Sequence, residues 1–143
     1  MITWLLLTYK LPSDPSARRV YVWRKLKKLG AVTIFEAVWV LPDSPRAHEQ
    51  FQWLVAEIQE MGGEAMFWNA HSELASQEQE LTCRFSRQVD AAYQTLLERI
   101  EQPEPNLSVL AQEFQQIAQR DYFHSQLGLQ VRTRLLASRG DES

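Results

Sequence analysis

Apolar and polar positions change their spacing several times along the chain, and each change predicts an element. Residues 2–9, ITWLLLTY, are β-branched, aromatic and aliphatic, and they run into Lys10-Leu11-Pro12, where a proline stops a ladder; this is a first strand. Ser13 or Asp14 can then cap a helix with Pro15 at its first position. In that helix Val22, Leu26 and Leu29 recur at helical spacing until Gly30 closes it. Two short apolar runs, 31–36 and 37–41, meet near Phe35-Glu36 and predict a hairpin that Pro42 ends. Ser44 with Pro45 opens a second helix, whose Ala47, Phe51, Leu54, Ile58 and Met61 form one stripe that Gly62-Gly63 stops. Residues 64–69 form the last strand.

The order β-α-β-β-α-β predicts an α+β fold, the split βαβ or ferredoxin-like arrangement, with two helices covering one face of a four-stranded antiparallel sheet. Strands one, three and four are apolar at both alternating sets of positions, so the second face also needs cover, from the rest of the chain, from a partner subunit or from both. Residues 76–101 offer one candidate. Ser76 with Gln79 resembles a capping box, and Leu81, Phe85, Val89, Ala92, Leu96 and Ile100 make an apolar stripe. Pro103 and Pro105 break the chain. A second stripe follows Asn106 (Leu107, Leu110, Phe114, Ile117), then RDYFH at 120–124, then a last helical stretch to about Leu136 and a frayed tail, GDES. The expected organisation is a ferredoxin-like subdomain over 1–70 and a helical extension over 71–143 packed on it as one compact domain.

Composition fits that picture: 143 residues that are 45% hydrophobic can bury one good core. The longest apolar run, Trp4 to Leu7, is too short for a membrane span or a secretory signal, and the expected location is the cytoplasm. The single cysteine, Cys83, cannot form an internal disulfide. His48, His71 and His124 are scattered without metal-ligand spacing, so neither a metal nor a cofactor is expected.

Charge changes the picture more. The net charge is −3, yet Lys10 to Lys28 holds seven basic residues (Lys10, Arg18, Arg19, Arg24, Lys25, Lys27, Lys28) against Asp14 alone, while eight arginines and seventeen acids follow Lys28. Such asymmetry marks either an anion-facing surface or a solvated helix face. With Val22 at the centre of the buried face, Arg18 and Arg19 fall about 40° and 60° to either side and are expected to point inward. Buried arginines need partners. The β2-β3 turn lies at the same end of the sheet, which predicts an ion pair from Arg18 or Arg19 to Glu36. The two arginines are then either scaffold or an oxyanion seat beside a helix start. Arg24, Lys25, Lys27 and Lys28 are the expected phosphate contacts for nucleic acid, with Tyr21 and Trp23 as stacking surfaces. Trp53 lies off the stripe of helix two and, with Trp23, is an interface candidate.

Several of these residues carry a resemblance. Trp4-Leu5-Leu6-Leu7, Leu11-Pro12, Ala17-Arg18, Val22-Trp23-Arg24-Lys25-Leu26, Leu29-Gly30-Ala31, Val38-Trp39-Val40-Leu41-Pro42-Asp43 and Gly62-Gly63-Glu64-Ala65 resemble, in order, the N-terminal region of the chromate-resistance regulator ChrB. The long helix and Ile117 to Phe123, with Asp121-Tyr122-Phe123, resemble its helical half more loosely. More distantly, the strand-helix-hairpin pattern is similar to the central domain of the phenylacetate-catabolism repressor PaaX and to the small CRISPR-associated endonuclease-like adaptor. The resemblance implies a chromate-response or transcription-regulatory protein that associates with itself as a homodimer; the basic front makes DNA, or an oxyanion such as chromate, the expected further partner. ChrB proteins usually carry a further C-terminal domain, and PaaX-type repressors a helix-turn-helix ahead of this region.

An enzyme is not expected. The CRISPR-associated relatives place an Asp at the end of the first strand, where this chain has Tyr9-Lys10, and Asp14 beside two arginines suits a helix cap better than a metal ligand. No nucleophile-base constellation is legible, and His124 suits a core or helix-end role better than that of a general base. A cytoplasmic ChrB-like regulator is the leading expectation. A protein-interaction or sensor subunit that does not bind DNA is the second, and a metal-dependent nuclease the third.

Overall fold

A computed structural model describes residues 1–141. Its elements run β1 (Trp4–Lys10), α1 (Ser16–Lys28), β2 (Val32–Ile34), β3 (Val38–Pro42), α2 (Pro45–Glu60), β4 (Glu64–Ala70), α3 (Ala75–Ile100), α4 (Leu107–Ala118) and α5 (Gln126–Asp141). The four strands form one antiparallel sheet in the order β2-β3-β1-β4, so the α+β class and the β-α-β-β-α-β order both stand as the hydrophobic pattern predicts. The chain divides into two units, Met1–Gln79 and Glu80 onward, and the division falls inside α3.

In the first unit the register sets two faces. Leu5, Leu7 and Tyr9 share a face with Trp39, Leu41 and Phe67; Trp4, Leu6 and Thr8 share the other with Val40, Met66 and Trp68. Helix α2 lies on the first face, where Phe51 and His48 meet Phe67 edge-on with centroids 6.5 and 5.2 Å away. Val22 and Leu26 of α1 and Ala47, Phe51, Leu54 and Ile58 of α2 are buried with Leu5, Leu7 and Leu41. On the second face Trp4, Val32 and Val40 are buried, but toward β4 Met66 and Trp68 stand open.

Both helices end alike. Gly30 N–H bonds to the Lys27 carbonyl and Ala31 N–H to that of Leu26, while Gly62 and Gly63 repeat the pattern on Gln59 and Ile58. Gly30 and Gly62 take φ of 80° and 83°, which only glycine adopts without strain. Gly63 is fixed by space, since a Cβ there would sit 2.5 Å from the Lys10 carbonyl oxygen. The hairpin turns through Phe35 and Glu36, both left-handed (φ 51° and 58°), with Ala37 N–H bonded to the Ile34 carbonyl, the pattern of a two-residue primed turn.

The second unit packs Val89, Tyr93, Leu96 and Ile100 of α3 against Leu110 and Ile117 of α4 and Val131 and Leu135 of α5. Its polar centre lies where the chain enters α5. The Tyr93 hydroxyl donates to Asp121 (3.0 Å), Asp121 accepts the Ser125 N–H (3.1 Å), and the Ser125 hydroxyl donates to Asp90. That hydroxyl also accepts from Leu127 and Gly128 N–H at 3.1 and 3.3 Å, so Ser125 caps α5. Burial, then the Asp121 charge, pushes the Tyr93 hydroxyl well above its ordinary value. Gly128 leaves room for that ring, as a Cβ would approach it to 2.7 Å.

Two local expectations change. Helix α3 begins at Ala75, so Ser76 lies inside its first turn rather than capping it. The Leu74 carbonyl already accepts Gln77 and Glu78 N–H, and Ser72 Oγ bonds to both backbone groups of Leu74. Helix α5 continues through Gly140 and Asp141 instead of fraying at Gly140, while Glu142 and Ser143 lie outside the described residues. His124 is exposed, in the left-handed region (φ 54°) just ahead of α5.

Candidate functional site

Helix α1 holds six of the seven basic front residues and no acid. It starts with Pro15 in the N-cap position and no side-chain cap, so neither Ser13 nor Asp14 closes its first turn. Arg18 and Arg19 stand in that turn, where the helix dipole disfavours cations, whereas Lys25, Lys27 and Lys28 in the last turn complement it.

The inward placement of Arg18 and Arg19 is not observed. Residues 12–20 are all exposed, since angular position buries a side chain only where neighbouring elements cover it. The pair to Glu36 does not form either. Arg18 donates instead to the Met61 carbonyl at 2.7 Å, the C-terminal end of α2. Arg19 lies by Tyr9, and Glu36 is exposed in the hairpin turn. The sheet order explains this: the hairpin occupies one edge and β4 the other, so the flank of α1 that carries Arg18 meets α2 and not the hairpin.

That flank forms a polar seam. Arg18, Tyr21 and Lys25 recur at helical spacing; Tyr21 hydroxyl and Lys25 Nζ both bond to Glu57 of α2, the latter at 2.8 Å. The hydrogen bond to Glu57 raises the Lys25 ammonium, against burial. Burial pushes Glu57 up, but the hydrogen bonds from Lys25 and Tyr21 and the Lys25 charge outweigh it, so the carboxyl lies below its ordinary value.

The opposite flank is aromatic. Lys27 Nζ lies 5.6 Å from the Trp23 ring and 5.8 Å from that of Trp39, within cation–π range. Tyr9, Arg19, Val20 and Trp23 line an open cleft of about 270 Å³. Burial raises the Tyr9 hydroxyl, opposed by a Trp39 hydrogen bond and the Arg19 charge. Between the flanks Arg24 and Lys28 face solvent with no ion pair among the described residues, and Lys10 is exposed at the end of β1. Trp23 is 50% and Trp53 62% exposed.

Lys25 is thus committed to α2, while Arg24, Lys27 and Lys28 stay at the surface with Trp23. Sequence reasoning missed the seam because its signal is an Arg18-Tyr21-Lys25 spacing that reads as solvated without knowledge of α2. Among the described residues no three His, Cys, Asp or Glu side chains are grouped to hold a metal ion, and no helix is long and apolar enough to cross a membrane.

A four-stranded α+β unit with a cationic, aromatic front helix, continued by a helical unit, is the class these features define. The family model for the N-terminal region of protein ChrB matches residues 19–107, and the chain belongs to that family. Protein ChrB of Cupriavidus metallidurans (strain CH34) is 29% identical over 89 residues, which are 62% of this chain and 28% of that protein. No solved structure matches the chain.

Proposed function

We propose that the chain is a regulatory protein of chromate resistance, not an enzyme, whose α1 surface contacts nucleic-acid phosphates. Family membership supports the regulatory half. The observation that carries the contact is an acid-free front helix whose outer side presents Arg24, Lys27 and Lys28 beside a half-exposed Trp23. Those three cations supply counterion release, and Trp23 offers a stacking face. An oxyanion such as chromate would be drawn to Arg19 in the cleft beside Tyr9. The protein acts as a homodimer in the cytoplasm.

A labelled mixed-sequence duplex titrated by fluorescence anisotropy at two salt concentrations tests the contact. Salt-sensitive binding is expected, and the triple variant Arg24→Glu, Lys27→Glu, Lys28→Glu should abolish it. Binding whose strength and salt slope the triple variant leaves intact would place the contact elsewhere.

A second reading, a protein-interaction or sensor subunit, draws on Trp53, which stands 62% exposed on the outer side of α2. Absence of duplex binding at low salt would favour it.

A further inference from the structure

We propose that two copies of this chain join through β4, edge to edge and antiparallel, about a two-fold axis at Phe67. The proposal gives the homodimer of the preceding reading its surface and stands apart from the nucleic-acid contact, which the duplex titration tests alone.

Strand β4 is an edge of the sheet, and among the described residues no strand pairs with its outer side. Thr8 Oγ1 donates to the Met66 carbonyl at 3.4 Å across the β1–β4 ladder, which places that carbonyl on the β1 side. Backbone groups alternate along a strand, so the N–H and C=O of Ala65, Phe67 and Asn69 point outward. The edge is little blunted: EAMFWNA contains no proline and no lysine, its one charge, Glu64, sits at the strand's first position, and its pairing with β1 runs through seven residues without a bulge.

The occupant follows from self-complementarity. With Phe67 opposite the partner subunit's Phe67, Ala65 falls opposite the partner subunit's Asn69, and every outward backbone group of both strands is paired. On the face away from α1 and α2, Met66 (58% exposed) then meets the partner subunit's Trp68 (50% exposed), and this apolar contact occurs twice. Glu64, the single charge on the strand, falls opposite the partner subunit's Ala70 rather than against its own copy. A slip of two residues either way leaves an outward residue of each strand without a partner in the ladder. The product is one eight-stranded sheet whose second face is widened at the place where this chain leaves it open.

Disulfide trapping tests both the surface and the register, in a Cys83→Ala background because Cys83 is itself exposed. A Met66→Cys chain mixed with a Trp68→Cys chain should give a covalent dimer on mild oxidation, since facing positions lie within disulfide reach. Met66→Cys alone should give at least tenfold less, because in this register the two Met66 Cα atoms are on the order of 8 Å apart. Light scattering should give twice the 16.7 kDa chain mass for the wild type and half that value for Trp68→Lys with an unchanged circular dichroism spectrum. A wild-type mass of one chain, or equal trapping by Met66→Cys alone, would overturn the proposal. If Trp68→Lys does not fold, the trapping ratio decides.

Discussion

Helices α1 and α2 belong to the same unit and end in the same glycine-based cap, yet they begin in opposite ways. Ser44 caps α2 by accepting the Ala47 N–H at 3.0 Å with Pro45 in the first turn, and four of its side chains are buried. Helix α1 has no side-chain cap, two arginines in its first turn and only Val22 and Leu26 buried. Helix α2 therefore carries its own stability. Helix α1 borrows stability from α2 through Arg18, Tyr21 and Lys25, and its outer side is left free of structural duty.

That contrast can be broken by substitution. The largest effect should come from Phe51→Ala in α2, about 3–5 kcal/mol by thermal or denaturant unfolding, because the ring is fully buried against Phe67. Next, Ser44→Ala should cost about 1 kcal/mol while Asp14→Ala stays within about 0.5 kcal/mol, since only the former removes a cap. Equal losses would show that α1 is capped after all.

Glu57→Gln should cost no more than Ser44→Ala, about 0.5–1 kcal/mol, because the Lys25 side chain is 43% exposed and the pair is screened. Its pH dependence has a definite sign. The folded carboxyl lies below its ordinary 4.5, so its contribution is complete above that value and disappears as pH falls through the lowered one. Lys25 is raised above 10.5, so its share persists below that value and is lost only as pH climbs through the raised one. Wild type and variant should converge in acid; a gap that widens below pH 4 would refute the pairing.

Most of the fold was legible because it is written in spacing. Val22-Leu26, the Ala47-Phe51-Leu54-Ile58 stripe and the glycines after each helix determine where elements lie without reference to any neighbour. Failures occur where the answer depends on a neighbour. Arg18 and Arg19 occupy the angular range of a buried face, but both are exposed, and the carbonyl that Arg18 finds belongs to Met61, 43 residues later. The Ser76 cap failed because Leu74 opens the turn first. In the second unit Tyr93 was absent from the expected stripe. Its hydroxyl is tolerated in the core only because Asp121, 28 residues away, accepts from it, a pairing that periodicity cannot report. At the candidate site the exposed Arg24, Lys27 and Lys28 were legible as charges, but the removal of Lys25 from that set by Glu57 was not.

All five tryptophans, Trp4, Trp23, Trp39, Trp53 and Trp68, fall in the first unit. Every indole emitter is therefore carried by the sheet and its two helices. Trp4 and Trp39 are buried, while Trp23, Trp53 and Trp68 are accessible to iodide. Each accessible indole lies on one of the proposed contact surfaces: α1, α2 or β4. Single-tryptophan variants would then let protection from quencher, without any label, tell which surface a duplex, a protein or a second copy has covered.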